Sequence, residues 1–300
     1  MIRHAIIATD MSPAADLLLD CTAEYKQMGI ERVSLLHIPS ISFNYMEYSG
    51  YSMRVHIEAR MLNMQKKMNE AGLEADFHFR EGLPSQVIVD FAAAYPDALL
   101  IIGSKGHGIQ KRNLIGSTTQ RVIQQSNNPV LMMRVICNKE AGMEVPGCHL
   151  ESPQVSRHAI LLTDFSPHAK AVFAYASRHL ARGFRSMSLM HVQDSVVMSH
   201  RDQSEIDEFN RIDNQRLLRA TAELRRGTDA PVSCILTMGM VVPEILREIK
   251  QSKASTIVLG THGKGYYADV VCGSTASALA QLSSANCLFV PHDPDKEGEA

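Results

Sequence analysis

Gly103, Gly106 and Gly116, with Ser117 directly after the last, recur as Gly260, Gly263, Gly273 and Ser274. In each copy two residues separate the first pair of glycines and nine separate the second pair. Such a stretch suits an anion, because backbone N–H groups approach a ligand closely only where no Cβ stands in the way. A helix starting after the last glycine adds the partial positive charge of its N-terminus. Phosphate binding is the chemistry these residues suggest. A carboxylate stands ready in each copy: Asp10 in Thr9-Asp10-Met11-Ser12-Pro13, and Asp164 in Thr163-Asp164-Phe165-Ser166-Pro167. Asp on one side and a phosphate loop on the other suit a nucleotide, the carboxylate taking base or ribose donors. The bland alternatives stay open. Either Asp could cap the next turn with Ser12 or Ser166, and Ser117 and Ser274 suit helix N-caps as well as phosphate contact.

The elements that must position these residues also come in pairs. Arg3 to Pro13 matches Arg157 to Pro167 at an offset of 154, which also carries Gly29 onto Gly183 and His37 onto His191. From Gly82 and Gly239 onward the offset is 157, as a small length change in mid-unit would produce. A period this long indicates duplicated domains, not a solenoid of short units. We expect a first domain over 1–137, a polar linker over 138–156, a second domain over 157–292 and a frayed acidic tail over 293–300.

Within the first domain, Ala5 to Ala8 reads as a buried strand, with Ser12 as N-cap and Pro13 at the first position of a helix. That helix is expected to bury Leu17, Leu18, Cys21, Tyr25 and Met28 and to end at Gly29. Further strands are predicted over 33–38, 75–79, 98–102 and 130–136, with helices near 53–71, 84–95 and from Ser117. The second domain reads alike, with strands near 159–163, 187–192, 232–237, 255–259 and 287–290. Strands alternating with helices imply a parallel sheet covered on both faces, with ligands at the carboxyl ends of the strands.

Composition narrows the function classes. A hydrophobic fraction of 45% and a charged fraction of 21% are ordinary for a globular protein. A net charge of −2 with no Lys/Arg block gives no nucleic-acid footprint. No apolar run reaches the length of a membrane helix and no signal-peptide pattern is present, so a cytoplasmic location is expected. The six cysteines show no CxxC and read as free thiols. Cys137, Cys148 and His149 are too irregularly spaced for a zinc site. His37 and His191 read as satisfied structural histidines, and His4 and His158 as surface residues. The sixteen methionines read as packing. Aromatics at Phe43, Tyr45, Tyr48 and Tyr51 could cover the first pocket, serve a partner or pack on their own domain.

On the Gly-x2-Gly-x9-Gly-Ser pattern in both halves, and the Asp after each first strand, the chain resembles the universal stress protein family in its tandem form. The pattern marks that family's ATP-binding branch. The resemblance implies two five-stranded sheets in order 3-2-1-4-5, adenine-nucleotide binding and pairing of domains through the last strands. It also places Ile38 and Val192 at the family's adenine-contacting backbone position. The expected site of the first domain is Thr9, Asp10, Ile38, Gly103, Gly106, His107, Gly116, Ser117 and Thr118. That of the second is Thr163, Asp164, Val192, Gly260, Gly263, Lys264, Gly273, Ser274 and Thr275. ATP, ADP or AMP is the expected ligand, with Mg²⁺ held mainly by the phosphates, no catalytic residue poised by a motif and no protein-built metal site. Lys111-Arg112 corresponds to Ala268-Asp269, so the first site is expected to hold ATP more tightly and the second to prefer ADP or AMP. A regulatory role, with occupancy setting conformation or a protein partner, leads over a slow Mg-dependent ATPase and over a scaffold with vestigial sites. A homodimer is expected from the apolar last strands.

Overall fold

The computed structural model describes residues 1–39, 47–105, 115–138, 147–261 and 272–291, and for 47–54 and 56 the backbone only. The chain divides into two units, Ile2–Glu151 and Ser152–Ala300. Short apolar runs form the strands of the first unit: β1 (His4–Thr9), β2 (Arg32–His37), β3 (Glu74–Phe79), β4 (Leu99–Gly103) and β5 (Val130–Met133). All pair in parallel, β2 with β3, β1 with β2 and with β4, and β4 with β5, so the order is 3-2-1-4-5. Continuous apolar stretches are what a parallel sheet covered on both faces needs. Ile6, Ile7, Leu35, Leu36, Leu100 and Ile101 are fully buried, whereas β3 at the edge is half-exposed.

Helices α1 (Pro13–Leu19), α2 (Thr22–Gln27), α3 (Glu47–Glu70), α4 (Pro84–Ala93) and α5 (Ser117–Gln125) connect the strands. Ser12 caps α1 as expected, its hydroxyl accepting from the Ala15 amide at 3.1 Å. The single helix expected after Ser12 breaks into α1 and α2, which leaves Leu17 half-buried while Leu18, Cys21, Tyr25 and Met28 are buried.

The segment after β5 differs from the expected linker. Strands β6 (Val135–Asn138) and β7 (Gly147–Leu150) pair antiparallel, with Cys137 opposite Cys148. Those two residues form a disulfide, which corrects the free-thiol reading for this pair. The reason is register: the hairpin sets their Cα atoms 4.1 Å apart. Cys21, Cys234, Cys272 and Cys287 stay as thiols, and burial, with Glu24 and Asp20 nearby, pushes the Cys21 thiol up to about 12.

In the second unit the strands are β8 (Ala159–Leu162), β9 (Met187–Asp194), β10 (Val232–Gly239), β11 (Thr256–Gly260) and β12 (Asn286–Val290). Their parallel pairings repeat the first order, 3-2-1-4-5. The helices are α6 (Pro167–Tyr175), continued by a π-turn over Ala176–Leu180, then α7 (Ser195–Met198), α8 (Gln203–Arg226), α9 (Val241–Ser252) and α10 (Ser274–Leu282). Helix α8 opens on a capping box between Asp202 and Glu205.

His4 and His158, expected at the surface, are half-buried. His4 Nε2 lies 2.9 Å from the Ser34 hydroxyl and its ring meets Tyr95 edge-on at 5.0 Å. His158 lies between Ser186 and Ser188, at 2.8 and 3.2 Å. Among the described residues no helix is long and apolar enough to cross a membrane.

Candidate functional site

The loop after the first strand is built the same way in both units. Thr9 Oγ1 accepts from the Met11 amide at 3.1 Å and Asp10 Oδ1 from the Ser12 amide at 3.0 Å. Thr163 and Asp164 accept from Phe165 and Ser166 at the same distances. One oxygen of each Asp thus serves the local turn, in line with the capping alternative. The turn forces Met11 (φ 60°) and Phe165 (φ 59°) into the left-handed region. For a residue with a Cβ this costs about 1–2 kcal/mol, and the paired Thr and Asp side chains hold it in place.

The carboxyl ends of neighbouring strands converge on this loop. Thr9 is in register with His37, and Ile7 with Ile101, which brings Ile38 and Gly103 to the same end of the sheet. His37 Nδ1 donates to the Thr9 carbonyl at 2.9 Å, and His191 Nδ1 to the Thr163 carbonyl at 2.8 Å. Both histidines therefore have the structural role expected of them.

The glycine stretches begin and end on fixed points. The Gly116 amide donates to the Ser104 carbonyl at 2.9 Å, and the Gly273 amide to the Thr261 carbonyl at 2.7 Å. At Gly103 a Cβ would meet the Lys105 carbonyl oxygen at 3.1 Å, so close backbone approach explains that glycine. Helices α5 and α10 start at Ser117 and Ser274 themselves. Their N-caps are Gly116 and Gly273, in extended conformation and without a side-chain hydrogen bond. That corrects the N-cap alternative for the two serines. Neither N-cap residue offers a side chain to the first amides of its helix, an arrangement that favours an anion. Gly106, His107, Gly263 and Lys264 lie outside the described residues, as do Lys111, Arg112, Ala268 and Asp269. So do Phe43 and Tyr45 and the side chains of Tyr48 and Tyr51.

In the second unit these pieces surround one cavity of about 670 Å³, within the range of small-molecule sites. Thr163, Asp164, Val192, Gly260, Gly273, Ser274 and Thr275 all line it. Its apolar wall includes Leu162, Met198, Phe209, Val241 and Ile245. Polar lining residues that escaped the sequence reading include Gln193, Asp213 and Arg216. Asp213 is buried, with Oδ2 accepting from Gln193 Nε2 at 3.0 Å and lying 3.5 Å from His191 Nε2. Its other oxygen accepts from Arg216 at 3.3 Å. A charged pair on α8 reads as a solvated face in one dimension, so no signal marked it.

The profile of one family, described as the universal stress protein family, matches residues 1–134 and again 156–291. The chain belongs to the universal stress protein family. Universal stress protein MJ0577 of Methanocaldococcus jannaschii is 26% identical over 155 residues, covering 45% of this chain and 96% of that protein. A universal stress protein structure from Archaeoglobus fulgidus superposes with a TM-score of 0.68 at 18% identity, covering 98% of this chain and all of that one. A second structure, a putative universal stress protein from Pseudomonas aeruginosa, gives 0.64 at 14% identity over 97% and 93% of the two chains. These two superpositions establish the fold. The twofold profile match makes this a tandem universal stress protein.

Proposed function

We propose that each unit binds an adenine nucleotide and that occupancy regulates the protein's conformation or partners. The observation that carries this reading is the second unit's cavity, where seven residues singled out by motif and resemblance meet beside an uncapped helix N-terminus. In the proposed pose the phosphates lie on the first amides of α5 or α10, with Ser117 and Thr118, or Ser274 and Thr275, at hand. Asp10 or Asp164 receives donors of the base or ribose. Backbone at Ile38 or Val192 reads the adenine edge. Mg²⁺ enters with a polyphosphate and needs no cluster of protein ligands. ATP is the preferred ligand of the first site, ADP or AMP of the second.

Chromatography and mass analysis of small molecules released from freshly purified, denatured protein test the reading. Adenine nucleotide is expected; none released, together with no binding of added ATP, sinks it in favour of a scaffold. A regulator should turn ATP over well below about 1 s⁻¹, the low end of ordinary enzymes. Faster turnover that Asp10→Asn abolishes while sparing binding would assign an ATPase instead.

A further inference from the structure

The second unit's cavity contains a polar assembly that its nucleotide-site residues do not explain. His191 and Gln193 alternate along β9, so both side chains leave the same face of the sheet. Asp213 and Arg216, three apart on α8, share one helix face. Asp213 stands between them all, taking His191 and Gln193 on one oxygen and Arg216 on the other. Two of these partners also contact Phe165: the His191 ring is 4.5 Å from its centroid, and the Arg216 guanidinium carbon 5.4 Å. Phe165 is the left-handed residue directly after Asp164. One buried carboxylate thus anchors the two groups that embrace the loop carrying the site's aspartate.

The ring nitrogens of His191 meet two acceptors. Nδ1 faces the Thr163 carbonyl, which can only accept, and Nε2 faces the Asp213 carboxylate. The first is a hydrogen bond at 2.8 Å and the second an approach at ion-pair distance, 3.5 Å. Among the described residues, the charged groups around this ring include Asp213 and Arg216 from α8, with Asp164 and Asp194 lining the same cavity.

The first unit is built otherwise. Met61 and Met68 on α3, like Leu217 and Leu224 on α8, are fully buried and seven residues apart. Aligning these pairs sets Arg60 at the place of Arg216 and Ile57 at the place of Asp213. Met11 takes the place of Phe165, and Arg60 donates directly to its carbonyl at 3.1 Å while pairing with Asp16. The arginine is shared, whereas Ile57 stands where the second unit has Asp213.

We propose that Asp213 is a positioning residue of the second site: by holding His191 and Arg216 on Phe165, it fixes the Thr163–Phe165 loop and presents Asp164 to the ligand. This rests on the nucleotide reading above. The test measures ATP and ADP binding by calorimetry in a Gly106→Val background, which leaves the second site, and in a Gly263→Val background, which leaves the first. Asp213→Asn should weaken the second site by roughly ten-fold, the scale of a charge-assisted hydrogen bond, and leave the first unchanged. Arg216→Gln, half-exposed and gentler on the fold, should weaken the second site in the same sense. The ring ¹⁵N resonances of His191 should shift in Asp213→Asn, because the group facing Nε2 changes. Unmoved His191 ring resonances in Asp213→Asn, or undiminished second-site affinity in both variants, overturns the proposal. If neither background binds nucleotide, the function reading fails instead. Amide exchange at Phe165 then still decides the hub: faster exchange in Asp213→Asn supports it, and unchanged exchange overturns it.

Discussion

Single residues decide whether the site is open or blocked. Gly103 lies where a methyl group would press on the Lys105 carbonyl at 3.1 Å while meeting Leu18 and Val135 at an ordinary 3.7 Å. We expect Gly103→Ala to cost about 1 kcal/mol in urea unfolding, the low end of overpacking; a neutral result would show that the loop yields freely. The two sites also differ in charge, since Lys111-Arg112 is replaced by Ala268-Asp269. With Gly263→Val in place, the remaining first site should bind ATP several-fold more tightly than the second site does in Gly106→Val. Raising salt should narrow the gap, because exposed charges are screened over about 10 Å at 0.1 M. Equal affinities at low salt would remove the charge argument. Most of this was readable from the chain, because glycine spacing and a following serine are one-dimensional patterns. The Asp213 hub was not: its partners lie 20 and 22 residues upstream on a strand, and only packing of α8 on β9 joins them.

At the scale of elements, the caps and strand starts are duplicated, so each prediction has an internal repeat. Ser12 and Ser166 accept from the third amide after them at 3.1 Å in both units. Each Ser→Ala change should cost about 1 kcal/mol of stability, read as a shift of the urea midpoint without a change of slope. His4 and His158 make a second pair. Burial lowers the pKa of both, seconded by Arg32 for His4 and by Arg157 for His158. The unfolded chain therefore takes up protons first, near the ordinary value of about 6.5. Their contribution is full above that value and is lost as pH falls through the lower folded pKa. We expect the melting temperature to fall from about pH 6.5 downward, and less steeply in the His4→Gln, His158→Gln double variant. An equal slope in that variant would assign the acid sensitivity elsewhere. The strands were legible because apolar runs bounded by turn residues have a period of their own. The hairpin of β6 and β7 was not, since Gly-Cys-His-Leu and its neighbours carry neither a long apolar run nor a clean alternation. Nor could spacing alone show that Cys137 and Cys148 face each other; the antiparallel register does that.

For the whole molecule, the disulfide gives the first unit a restraint that no cysteine pair provides among the described residues of the second. Closing a loop of 11-residue separation is worth about 3 kcal/mol in the chain-entropy account. Cys148→Ser should therefore speed amide exchange within Ile2–Glu151 and spare Ser152–Ala300; uniform acceleration, or none, would contradict this. The glycine-started helices α5 and α10 carry a different consequence. Neither helix has a side-chain cap at its N-cap residue, so a bound ligand could answer its first amides. Folding and occupancy are then thermodynamically linked, and ligand at a hundredfold excess over its Kd adds about 2.7 kcal/mol per site. On the nucleotide reading proposed above, heat tolerance would rise and fall with the concentration of free ligand.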